Sequence, residues 1–138
     1  MASVLLVDGH ADETQMYRDC LEAAGLGFSI QICEPEDACD CAAATPPDVV
    51  VTDLVLPFSD GVQLIRGLRR NSRTESVGIV VITARTEPSD FDRALEAGCD
   101  FFLRKPCPPE VLLAEIKRAV ALTRRRQFER RTDPAQSG

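Results

Sequence analysis

The chain has 138 residues, a length suited to one domain with its own core and short for two. With 44% apolar and 28% charged residues it has the composition of an ordinary globular domain, which excludes a mainly disordered chain, a collagen and a coiled coil. The net charge of −6 is uneven, with 19 acids and 9 bases in residues 1–110 and 3 acids and 7 bases in residues 111–138.

The elements follow in chain order. Val4–Val7 is a short apolar run of the kind that forms a strand covered on both faces. Met16, Tyr17, Cys20, Leu21 and Ala24 predict one apolar helix face, which Gly25 can end. Phe28-Ser29-Ile30-Gln31-Ile32 alternates apolar and polar, as an edge strand does. Pro35 opens a second helix, with Glu36 and Asp37 at its positive end and Ala38, Ala42 and Ala43 as a small-residue face. Val49–Val51 is a second buried strand, followed by a helix marked by Leu64, Ile65 and Leu68. Ile79–Ile82 is a third buried strand, followed by a helix marked by Phe91, Ala94 and Leu95 and closed by Gly98. Phe101–Leu103 is the last strand. A helix marked by Leu112, Ile116, Ala119 and Val120 begins near Pro109 and is expected to run on through Arg124-Arg125-Arg126. Strand and helix alternate five times, which predicts a doubly wound α/β fold, a parallel sheet with helices on both faces. Residues 1–124 are expected to form the domain, and 125–138 a helical extension with a disordered tail or linker.

No apolar run approaches the ~18 residues of a membrane span, and the N-terminal stretch lacks the basic start of a signal peptide. The expected location is therefore cytoplasmic. Cys20, Cys33, Cys39, Cys41, Cys99 and Cys107 are then expected as reduced thiols. Cys39-Asp40-Cys41 invites a metal, but side chains two apart on a helix diverge, and no second Cys/His pair stands at zinc spacing. The acidic body disfavours nucleic acid, and no DNA-binding motif is present. The arginines of the tail are expected as a solvated face.

Ligands in an open α/β sheet bind beyond the carboxyl ends of the strands, where the winding reverses. Asp8 follows the first strand, Thr52-Asp53 the third, Thr83-Ala84 the fourth, and Lys105-Pro106 stands just past the fifth. Lys105 is one of only two lysines among the 16 basic residues. Two carboxylates, a hydroxyl and an ammonium on one rim suit phosphoryl chemistry. Hard oxygens draw Mg²⁺, the ammonium and hydroxyl hold phosphate oxygens, and a carboxylate can accept the phosphoryl group.

Val4-Leu5-Leu6-Val7-Asp8, Val51-Thr52-Asp53-Leu54-Val55-Leu56-Pro57 with Asp60-Gly61, Ile82-Thr83-Ala84, and Ala97-Gly98-Cys99-Asp100-Phe101-Phe102-Leu103-Arg104-Lys105-Pro106 together resemble a two-component response-regulator receiver domain. The resemblance spans about residues 3–122. It implies a flavodoxin-like sheet in the order 2-1-3-4-5. It implies Asp53 as phosphoacceptor from a histidine kinase, with Asp8, Asp53 and the backbone carbonyl of Val55 holding Mg²⁺. Thr83 and Lys105 would contact the phosphoryl group, Thr83 and Phe102 would form the switch, and the bond before Pro106 would be cis. Output would run through the fourth helix, fifth strand and fifth helix to a downstream protein, a fused effector domain or a second copy of the chain. Val55 and Arg85 match positions that tune acyl-phosphate lifetime.

One position departs from the pattern. The family usually has a second acid after the first strand, and here Gly9 and His10 follow Asp8. Fewer carboxylates imply weaker Mg²⁺ affinity. Asp12 and Glu13 are expected as caps or first-turn acids of the first helix, with a reach of Glu13 to the site through a water as the lesser alternative, and His10 as an exposed loop residue. Two versions of the reading remain: a phosphorylated receiver with a weak metal site, and a degenerate receiver acting as a phosphorylation-independent interaction module. A remote third, a cobalamin-binding domain, rests on Asp8-Gly9-His10 without that motif's closing glycine, since Glu13 stands in its place.

Overall fold

The structure is a computed structural model that describes residues 2–57, 59–85 and 87–132. Five parallel strands form one sheet: β1 (Ser3–Val7), β2 (Ser29–Cys33), β3 (Val49–Thr52), β4 (Gly78–Thr83) and β5 (Phe101–Arg104). Their order is β2-β1-β3-β4-β5, the doubly wound order that the sequence pattern and its resemblance imply. The winding reverses between β1 and β3, so the carboxyl ends of those two strands form the mouth of a crevice. A two-residue antiparallel ladder, Val55–Leu56 against Ser59–Asp60, follows β3.

Strand side chains alternate between faces, and both faces here are apolar. Leu5, Val7, Val50, Ile79 and Val81 pack against α2 (Ala38–Ala44), α3 (Gly61–Arg70) and α4 (Pro88–Ala97). Val4, Leu6, Val49, Val51, Val80 and Ile82 pack against α1 (Ala11–Ala23) and α5 (Pro109–Thr132). Pro35–Asp37 form a separate 3₁₀ turn ahead of α2. Gly25 and Gly98 take positive φ at the ends of α1 and α4, a conformation open to glycine without a Cβ penalty. No helix among the described residues is long and apolar enough to cross a membrane.

Several predicted faces differ in detail. In α1 the buried residues are Thr14, Tyr17 and Leu21, while Met16 is exposed, because the helix meets the sheet along a stripe one position round. In α4 only Ala94 of the predicted trio is buried. That helix approaches closely on Ala94 and Ala97, which turns Phe91 and Leu95 outward. β5 reads as a fully buried run but is the second edge of the sheet, and its apolar residues are half-buried.

The long last helix is fastened by charge and by hydrogen bonds. Asp100, just before β5, accepts from Ile79 N (2.9 Å), Arg69 Nη2 (3.0 Å) and Arg126 Nη2 (2.5 Å), so one carboxylate joins α3, β4 and α5. Burial lowers the pKa of Arg69 against the opposing pull of Asp100. Arg130 meets Glu75 at 2.8 Å, one turn further along. The buried hydroxyl of Thr123 lies 2.6 Å from Asp48 O and accepts from Gly78 N (2.7 Å). Asp133–Gly138, the expected tail or linker, lie outside the described residues.

Removing the charge of Asp100 leaves two guanidiniums facing each other at a mostly buried site. Asp100→Asn is expected to cost about 3 kcal/mol of unfolding free energy, read as a lower urea midpoint at unchanged slope.

Candidate functional site

The apolar strands end together, and the first polar side chains beyond them meet at the rim. Lys105 follows β5 and donates its backbone N–H to Thr83 O (2.9 Å), which prolongs the β4–β5 pairing and turns the lysine back over the strand ends. Its bond to Pro106 is cis. Its ammonium lies 2.8 Å from Asp53 Oδ2, 2.9 Å from Glu13 Oε1 and 3.2 Å from Asp8 Oδ2. Its side chain is only 13% exposed, so this contact is shielded from solvent and is stronger than a surface ion pair.

Each acid has a backbone anchor as well. Asp53 Oδ1 accepts from Val55 N (3.1 Å), and Asp8 Oδ1 accepts from His10 N (3.0 Å). Glu13 Oε1 accepts from the hydroxyl of Tyr17, one helical turn on, at 3.3 Å. Burial by itself raises the Asp53 pKa, but the Lys105 ammonium, the Thr83 hydroxyl and the Val55 N–H together hold the carboxyl below its ordinary value. At Asp8 burial prevails over the His10 N–H and Lys105, and the pKa is raised. Burial would lower the pKa of Lys105, yet Asp53, Glu13 and Asp8 outweigh it and the ammonium is held well above its ordinary value. Burial and the neighbouring Glu13 push the Tyr17 hydroxyl up to about 12.

The residues singled out in the sequence fall in several places. Asp8, Asp53 and Lys105 share one ammonium-centred contact. Thr83 is buried at the end of β4, and its hydroxyl accepts from Arg85 N (3.2 Å). Val55 holds Asp53 through its own N–H, with an exposed side chain. Phe102 lies further out on β5, half-buried, in an edge-to-face contact with Phe91 at a centroid distance of 5.4 Å. His10 is an exposed residue at the N-terminus of α1, and its carbonyl accepts from Thr14.

Two features were not read from the sequence. Glu13, expected as a simple first-turn acid, is a direct partner of Lys105. Its signal was only its closeness in the chain to Asp8, in the first turn of the helix that follows β1. The second concerns Gly9 itself. A Cβ at Gly9 would stand 2.4 Å from Pro57 Cδ, so the loop after β3 occupies the room a side chain would need. The six cysteines are free thiols, and Cys39 and Cys41 have no third Cys, His, Asp or Glu gathered with them among the described residues.

A family model described as the response regulator receiver domain matches residues 4–117. The chain belongs to the response regulator receiver family. It is 35% identical over 115 residues to the phosphate regulon transcriptional regulatory protein PhoB of Escherichia coli, covering 83% of this chain and 49% of that protein. It is 32% identical over 120 residues to the response regulator Rre1 of Synechocystis, covering 86% and 52%. The receiver thus spans about half the length of the curated relatives it matches. Among solved structures it resembles the chemotaxis protein CheY4 of Vibrio cholerae, with a TM-score of 0.79, 28% identity, and 86% and 98% of the two chains covered. The receiver domain of the sensor histidine kinase PA1611 of Pseudomonas aeruginosa, solved with a magnesium ion coordinated in its active-site cleft, shares the fold at a TM-score of 0.78 and 23% identity over 87% and 98% of the chains. The residues behind the cobalamin resemblance, 8–10, lie inside the receiver match.

Gly61 opens α3 where its backbone passes the Asp53-Leu54 segment, and its N–H donates to Leu54 O (2.9 Å). A Cβ there would stand 2.1 Å from Asp53 O and 2.7 Å from Leu54 Cα, both backbone atoms. Gly61→Ala is expected to cost about 2 kcal/mol or more in thermal unfolding, because Asp53 and Leu54 must move to admit the methyl group.

Proposed function

We propose that this receiver accepts a phosphoryl group on Asp53 from the phosphohistidine of a histidine kinase, with Mg²⁺ as cofactor, and passes the change to α4, β5 and α5. The observation that carries the reading is the Lys105 ammonium bridging Asp53 and Asp8 at the crevice where the sheet's winding reverses.

In the transfer an Asp53 oxygen attacks phosphorus. The P–O bond forms as the P–N bond to imidazole breaks, and the imidazole nitrogen keeps the electron pair and takes up a proton. Asp53 suits the task because it is held as an anion. Val55 N–H fixes one of its oxygens and Lys105 the other. Lys105, 2.8 Å from Asp53 Oδ2, and the Thr83 hydroxyl are the donors that the resemblance assigns to the phosphoryl oxygens.

Magnesium fits the donor set, which is all oxygen: the carboxylates of Asp8 and Asp53, joined by the carbonyl of Val55 as the resemblance implies. Bound there, the ion supplies charge neutralisation for the transferring group. Among the described residues no three acidic, His or Cys side chains already enclose a metal, because these acids converge on the ammonium instead. With no acid at position 9, weak affinity is the expected state.

The response surface is the region around Phe102. Glu87, Pro88, Phe91, Phe102 and Arg104 line a groove of about 350 Å³ between α4 and β5. A histidine kinase upstream and a downstream protein, fused effector domain or second copy are the expected partners.

Intact-mass analysis after incubation with phosphoramidate is expected to show one phosphoryl adduct, dependent on Mg²⁺ and lost in Asp53→Asn. No adduct at saturating Mg²⁺ would leave the phosphorylation-independent interaction module as the reading. Because Pro57 fills the space beside Gly9, Gly9→Asp alone must displace that ring. Combined with Pro57→Ala it is expected to tighten Mg²⁺ binding about tenfold by calorimetry, since an added carboxylate raises affinity for a hard cation.

A further inference from the structure

We propose that Glu13 is the acid that position 9 does not provide, and that it belongs to the cation site of this receiver. The proposal rests on the Mg²⁺ reading above and names a residue outside the set the family resemblance supplies.

The argument begins with charge. Asp8, Asp53 and Glu13 place three carboxylates on one ammonium, which leaves two negative charges uncompensated in a pocket whose lysine is largely shielded from solvent. A divalent cation matches that remainder. Without Glu13 only one charge would be left over, and the attraction for a divalent ion would fall accordingly.

Placement adds a second line. Glu13 lies in the first turn of α1, which starts at Ala11, and its carboxylate reaches the rim at 2.9 Å from the Lys105 ammonium. Its reach is set by Tyr17, whose buried ring carries a hydroxyl that donates to Glu13 Oε1. Its first-turn neighbour Asp12 is exposed, whereas the Glu13 side chain is 25% exposed and meets Lys105. At position 9 itself a side chain would have to displace the Pro57 ring, whose Cδ would lie 2.4 Å from a Cβ there. The packing of the two loops and the relocated carboxylate are therefore two halves of one arrangement.

The relocation also makes the site self-reporting. Tyr17 is the only tyrosine and the chain has no tryptophan, so its emission comes from a ring hydrogen-bonded to the proposed ligand. A cation that engages Glu13 changes that hydrogen bond.

The test is a calorimetric Mg²⁺ titration of the full chain, with tyrosine emission followed in parallel, for the wild type, Asp8→Asn, Glu13→Gln and Glu22→Gln. Glutamine keeps the length of the side chain and can still accept from Tyr17, so Glu13→Gln removes the charge with little change of shape. Glu22, paired with Arg18 on the far end of α1, controls for a charge lost elsewhere on that helix. The expected result is a dissociation constant about tenfold higher in Glu13→Gln, unchanged in Glu22→Gln, with a Mg²⁺-dependent change in emission seen in the wild type and lost in Glu13→Gln. If Asp8→Asn weakens binding while Glu13→Gln binds as the wild type does, Glu13 is not in the cation site and the inference is overturned while the Mg²⁺ reading stands. If the wild type itself takes up no Mg²⁺, the Mg²⁺ reading fails, and this inference with it.

Discussion

One ammonium group organises the functional end of this molecule. Lys105 stands after the last strand, Asp53 after the third, Asp8 after the first and Glu13 in the first helix, and all three acids meet the same nitrogen within 3.2 Å. Three buried or half-buried carboxylates could not all stay ionised in one pocket without a cation, since like charges at this separation repel strongly where water is sparse. The lysine lets the acids be gathered before any ligand arrives.

The scaffold makes that contact possible by bringing distant ends together. Parallel strands send every carboxyl end to one edge, and the reversal between β1 and β3 leaves a crevice there that no crossover helix covers. Below the rim both faces of the sheet are apolar and close-packed, so the polar residues immediately beyond the strands have a rigid base. Asp100 and Thr123 fasten α5 to that base through β4, some distance from the chemistry. The face formed by α4 and β5 is packed more loosely. Small residues seat α4, and its large apolar side chains, Phe91 and Leu95, remain outside.

Position 9 shows how two loops share a constraint. Glycine there admits Pro57 to within van der Waals contact, and the same closeness bars the acid that would otherwise stand beside Asp8. The chain compensates in charge on the neighbouring helix rather than in place.

The strand pattern, the five-fold alternation and the residues 8, 53, 83 and 105 were legible from the sequence, because burial on both faces writes continuous apolar runs and the polar residues ending them are conspicuous. Asp53, Lys105 and Asp8 could be named for the same reason. Glu13 could not, since an acid in the first turn of a helix has an ordinary explanation in the helix dipole, and only the direction of α1 over the sheet turns it toward Lys105. The exposure of Met16, Phe91 and Leu95 was equally hidden, because periodicity shows that a helix has an apolar side but not how far it is rotated on its support. Sequence by itself determined which elements form and which chemical groups end them, as these depend on local patterns of burial. Tertiary structure decided which acids share the lysine and that proline excludes a side chain at position 9, as these depend on distances between segments far apart in the chain.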